Sequence, residues 1–313
     1  MAIDVKDQSG RTPPPHLSDP VREALDAMGV TDCHVTFTKR FVESIIEATG
    51  DTTYGIGRAG GSVVAKTIGS QVFINYKLLR ERGGDLATLS AVATHEAGHV
   101  LLNSRREDVD AMYARVRQAG DLRSYEVASA VVALEEYRIT RSVHALGLGC
   151  VPDSFVDDIG VHLEATAEKV YDAFVEHWPT LNVKDPGPGY LATQQIVWPA
   201  ASNLSRIVSY CAGEVLAGDR IVDPQSMPNK TGMLWNEYVA PIWDQRLDLF
   251  AAVPEARNSL GASNLDSLVV QLADSEAELL EAVGFKNEYT VDDLAFYLLR
   301  DDAGWTRVPS SLV

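Results

Sequence analysis

His95-Glu96-Ala97-Gly98-His99 restricts this chain more than any other segment. Histidines four apart share one face of an α-helix, so both rings can reach a single metal ion. Glu96, one step round from His95, can meet a water on that metal and take its proton. With seven histidines among 313 residues, roughly 0.01 chance matches to HExxH are expected if positions are independent. The segment is therefore read as helical, and the apolar positions around it extend that helix over Leu86 to Asn103.

The neighbouring sequence predicts a mixed α+β chain. Pro20 to Met28 has helical spacing behind Ser18 and Asp19, and Phe37 to Ala48 reads as a second amphipathic helix stopped by Gly50. Ser62 to Lys66 and Gln71 to Asn75 are short β-branched runs, read as two strands. Met112 to Gln118 and the long stretch Ser124 to Leu146, closed by Gly147, read as helices. Beyond Gly149 helical spacing recurs at 154–177, 190–217, 233–252, 264–283 and 291–299, and all five tryptophans lie in this half. Residues 1–19 are polar, carry Pro13-Pro14-Pro15 and read as a flexible lead.

Charge and cysteine usage exclude several function classes. A net charge of −17 argues against nucleic acid, whose phosphates need clustered Lys and Arg, and against anionic membrane surfaces. The first ten residues lack an apolar core of signal-peptide length, and no apolar run reaches membrane-spanning length. Cys33, Cys150 and Cys211 are odd in number and far apart, which reads as reduced thiols in a cytoplasmic protein.

Two histidines leave a catalytic metal one protein ligand short. A third histidine in the spacing HExxHxxGxxH is excluded, because Leu102 and Arg105 occupy those positions. Glu135 and Glu136 are the better source. They follow Val127 to Leu134, which carries no charge, and two adjacent carboxylates there would be costly to bury unpaired. A metal ion and an arginine would each neutralise one, and Arg138 lies one turn on from Glu135. The bland alternative is a surface salt-bridge pair.

HEAGH with a glutamate on a later helix resembles the gluzincin class of zinc metallopeptidases. The fragment Ala133-Leu134-Glu135-Glu136-Tyr137-Arg138-Ile139 is similar to the LEDxRI helix of HExGH proteins found with cobaltochelatase-type and von Willebrand-type modules and of phage metallopeptidases. Aligning the two puts the third ligand at Glu135, with Glu136 in the place of the family's aspartate. The strand Val72-Phe-Ile-Asn-Tyr leading into the HExxH helix also resembles the minimal gluzincin core, and the likeness covers about residues 50–147.

That resemblance implies a zinc ion held by His95, His99 and Glu135 (alternatively Glu136), with Glu96 as general base in peptide-bond hydrolysis. It implies a zincin-like domain over residues 20–149, a small twisted sheet packed on the HExxH helix, followed by a mainly helical part over 150–313. A peptide or protein substrate is expected, its backbone pairing with an edge strand for which Gln71 to Asn75 is the candidate. Two other readings stay open: a catalytically idle metal-binding scaffold, and a regulatory metallopeptidase with one protein target.

Other signals have plainer explanations. Gly55-Ile-Gly57-Arg-Ala-Gly60 fits GxGxxG but is followed by a strand pattern, so it reads as a glycine turn. Tyr137 and His144 follow on the metal-bearing helix and could donate to an oxyanion, although a histidine on a last turn chiefly complements the helix dipole. His34, His162 and His177 lack ligand spacing.

Overall fold

The computed structural model describes residues 3–55, 63–81, 86–147, 155–177, 188–218, 220–290 and 294–299. The chain is α+β, and its residues gather into two units that interleave along the sequence. One unit comprises Met1–Asp108, Arg138–Ser154 and Pro254–Ser259. The other comprises Val109–Tyr137, Phe155–Val253 and Leu260–Val313. This division differs from the expected break at residue 149, because one long helix contributes to both units and a short segment returns late. In that return the Ala256 amide donates to the Arg138 carbonyl at 3.0 Å, and Arg105 Nη1 donates to the Ala256 carbonyl at 2.9 Å.

The first unit opens with β1 (Asp4–Asp7), α1 (Pro15–Met28), β2 (His34–Thr38) and α2 (Phe41–Thr49). The hairpin β3 (Ala65–Ile68) and β4 (Gln71–Asn75) follows, then α3 (Tyr76–Glu81) and α4 (Leu86–Arg105). The sheet order is β1-β2-β4-β3, with β1, β2 and β4 parallel and β3 antiparallel to β4. Alternation decides the faces: Val72 and Ile74 enter the core shared with α1 and α4, while Phe73 packs on Phe41 and Ile45 of α2. Burial on both faces explains why β4 reads Val-Phe-Ile rather than apolar-polar.

Three expectations change here. The lead is not wholly irregular. Val5 is buried in β1, and α1 begins at Pro15, where a proline at the first helical position sacrifices no helical hydrogen bond. Leu17 packs on the core and draws the helix back past Ser18 and Asp19. Phe37 belongs to β2, and the helix begins only at Phe41. Finally, β4 is an interior strand; the antiparallel edge is β3. A hairpin pattern alone does not say which arm faces the rest of the sheet.

The second unit is mainly helical. It holds α5 (Val109–Gln118), the first part of α6 (Ser124–Leu146), α7 (Phe155–His177), α8 (Pro188–Leu216), α9 (Asn229–Leu234), α10 (Ala240–Ala251) and α11 (Ala262–Ala282). A five-residue π-helical turn, Trp235–Val239, joins α9 to α10, and Trp235 lies buried against Trp243. The tryptophans described here are core residues, with Trp198 stacked on Tyr125 at a centroid distance of 4.9 Å. The expected helix at 291–299 is instead a strand: β5 (Phe285–Tyr289) pairs antiparallel with β6 (Leu294–Leu298). Phe285 stacks on Phe296 diagonally across that pair, the aromatic contact that favours the ladder over a helix.

Cys33 and Cys211 are buried and free. Burial pushes the Cys33 thiol up to about 12, with the Asp32 charge adding to it, and raises Cys211 well above its usual range. Both are protonated, unreactive core groups. Among the described residues, no helix is long and apolar enough to cross a membrane. Gly57, Gly60, Cys150, Trp178 and Trp305 lie outside the described residues.

Candidate metal centre

The HExxH segment sits in the second half of α4, a helix buried on most of its circumference. Leu89, Ala93, Ala97, Val100 and Leu101 join the core of the first unit with Val21, Ala24 and Leu25 of α1. His95 and His99 are half-buried on one face of α4, their ring centroids 5.0 Å apart and their planes at 77°. That is the placement a four-residue helical spacing dictates.

Gly98 sets how near the next helix can come. A Cβ at this position would lie 2.8 Å from Ile139 Cγ1 and 2.9 Å from Ile139 Cγ2. Ile139 is β-branched and stiff, so it cannot swing aside cheaply. Hydrogen at Gly98 thus admits α6 to the histidine-bearing turn of α4. On an exposed helix Gly→Ala stabilises by about 0.8–1.0 kcal/mol. Here Gly98→Ala is expected to destabilise by about 1–3 kcal/mol through overpacking. Urea unfolding measures the sign, and Gly98→Ala combined with Ile139→Ala should recover part of the loss. A more stable Gly98→Ala variant would mean the two helices are not in contact at this point.

Glu136 stands one turn before Ile139 on the same unbroken α6. One ligand atom each from His95, His99 and Glu136 lies within 4.8 Å of the others, and among the described residues this is the group of side chains that could hold a metal ion. Two imidazole nitrogens with one carboxylate oxygen suit a borderline divalent cation and leave coordination positions open. Glu136 is buried, and a cation beside it offsets the cost of burying a carboxylate.

Glu135, the first choice from the sequence, is not in that group. Its Oε2 accepts the Val109 amide hydrogen at 2.6 Å, satisfying a donor in the first turn of α5. Arg138, expected beside Glu135, is fully buried and forms a 2.8 Å ion pair with Glu107. It also donates to the carbonyls of Pro254 at 3.3 Å and Asn258 at 2.9 Å. Ser259 donates to the other Glu107 oxygen. The Tyr137 hydroxyl donates to the Phe250 carbonyl at 2.6 Å, with the two rings stacked, so it serves the core and not an oxyanion. His162 lies on α7, where burial holds its imidazole below the usual range.

Glu96, the expected general base, is buried and directed toward β3. Thr67 Oγ1 donates to Glu96 Oε2 at 2.6 Å. Nothing in the sequence marks Thr67: the expected strand ends at Lys66, whereas β3 runs Ala65–Ile68 and takes Thr67 in. Only the packing of β3 on α4 reveals it.

No protein-family model matches the chain, and no curated protein or solved structure matches it either. The centre therefore rests on its own geometry.

Proposed function

We propose that this chain is a gluzincin-type zinc metallopeptidase. The observation that carries the reading is the approach of His95, His99 and Glu136 to within 4.8 Å, with Glu96 buried on the same helix as both histidines. The two histidines and Glu136 would hold the ion. Zinc, when bound, supplies a Lewis acid and lowers the pKa of a water toward about 7. Glu96 takes the proton of the attacking water and returns it to the departing amine. The substrate backbone adds to the edge strand β3, which runs beside α4. The buried, free thiols of Cys33 and Cys211 suit a cytoplasmic setting, and the charge of −17 favours peptide over nucleic-acid substrates.

The test compares zinc-loaded wild type with Glu96→Gln on a proteome-derived peptide library read by mass spectrometry. Wild type is expected to cut, and Glu96→Gln to keep its zinc while losing at least about 10²-fold in rate. Stoichiometric zinc without cleavage of any library member would replace the peptidase by an idle metal-binding scaffold. Capture of a single protein by Glu96→Gln, with cleavage of that protein alone by wild type, would narrow the reading to a regulatory peptidase.

A further inference from the structure

A glutamate has three side-chain torsions, and a general base works only if its carboxylate waits in one place. In this chain the restraint comes from outside the HExxH helix. Thr67 is the third residue of β3, and its register opposite Val72 puts it on the face of the sheet that packs against α4. Its hydroxyl donates to Glu96 Oε2 at 2.6 Å, a length typical of a charge-assisted O–H···O⁻ bond. The same hydroxyl lies 3.2 Å from the Glu96 carbonyl, a weaker second acceptor. About two turns further along α4, Asn103 Nδ2 donates to the carbonyl of Gly69 in the β3–β4 turn at 3.1 Å, so the hairpin and the helix are tied at a second point. Among the described residues Glu96 Oε1 forms no hydrogen bond.

We propose that Thr67 is the positioning residue of Glu96, holding Oε2 so that Oε1 is left to accept the proton of the attacking water. The inference rests on the peptidase reading above. It also gives the edge strand a double role: the strand that receives the substrate backbone holds the base as well. A substrate lying along β3 would then meet a carboxylate already fixed in relation to that strand.

The experiment uses the full zinc-loaded chain with Thr67→Val, which keeps the shape and removes the hydroxyl, and Thr67→Ser, which keeps the hydroxyl. Two readouts are taken: kcat and KM on a library peptide that wild type cuts, and calorimetric binding of acetohydroxamate. That chelator passes its hydroxyl proton to a neighbouring carboxylate and so senses the placement of Glu96 without turnover. For Thr67→Val we expect kcat to fall roughly 10- to 100-fold with KM within about twofold, as for a misplaced reacting group. Zinc content should be unchanged, hydroxamate binding weaker, and both readouts largely restored in Thr67→Ser. Wild-type kcat and hydroxamate affinity in Thr67→Val would overturn the inference and leave the peptidase reading standing. Equal loss in Thr67→Ser would also overturn it, since the role would then be packing. Should wild type cut no peptide while hydroxamate binding still follows the hydroxyl, the positioning stands and the peptidase reading falls.

Discussion

His95→Ala and His99→Ala are each expected to abolish retention of stoichiometric zinc through dialysis, and Glu136→Ala to do the same where Glu135→Ala does not. Loss of a partner that merely orients a ligand costs about 10- to 100-fold in metal affinity, so loss of a ligand should cost at least about 100-fold. The two glutamates separate because their carboxylates have different work. Glu136 comes within 4.8 Å of both histidines through its ligand atom, whereas Glu135 takes the first amide of α5. Glu135→Ala should therefore keep its zinc and instead lose about 1–2 kcal/mol of folding stability, the worth of a charged hydrogen bond at a helix start. Elemental analysis of the dialysed variants reads the first effect and urea unfolding the second. Full zinc in both histidine variants would remove the centre altogether. Zinc lost from Glu135→Ala but kept by Glu136→Ala would reverse the ligand choice.

What the sequence could disclose follows from the range of the forces involved. HExxH and α6 are local: helical periodicity and the stop at Gly147, which has φ +62°, define them, and α6 runs Ser124–Leu146 as read. The choice between Glu135 and Glu136 is not local. They lie four and three residues before Ile139, both within a turn of it, so periodicity cannot separate them. The arrival of the Val109 amide, 26 residues earlier in the chain, settles where Glu135 goes. The same holds for β1, a four-residue strand whose single buried apolar residue, Val5, gives no usable alternation until β2 pairs with it. β6 failed for the opposite reason. Leu294-Ala-Phe-Tyr-Leu has apolar residues at every position and suits either period, and its pairing with β5 decides. Thr67 was silent for want of any rule that ties a strand threonine to a carboxylate on another element.

The second large effect lies in the helical unit, where a charge pair is closed off from water. Arg246 on α10 and Glu276 on α11 have fully buried side chains joined at 2.6 Å. Arg246 also donates to Ser275 Oγ at 2.8 Å and Ser205 Oγ at 2.9 Å. Glu276 accepts from Ser205 at 2.5 Å through Oε1 and from Ser129 at 2.8 Å through Oε2. Four helices thus converge on one carboxylate. Glu276→Ala leaves a guanidinium buried without its counter-charge, and is expected to lower the unfolding free energy by about 3–5 kcal/mol. That is a large share of the roughly 5–15 kcal/mol by which domains are stable, so urea or thermal unfolding should resolve it easily. The physical claim is about the unpaired charge, and a double variant isolates it. Arg246→Met with Glu276→Leu removes both charges and fills similar volume, so it should be far less damaged than Glu276→Ala, even though it has lost more hydrogen bonds. If the double variant is instead the weaker of the two, the serine network and not the ion pair holds these helices together. If Glu276→Ala costs less than about 1 kcal/mol, water reaches the pair and it behaves as a surface bridge.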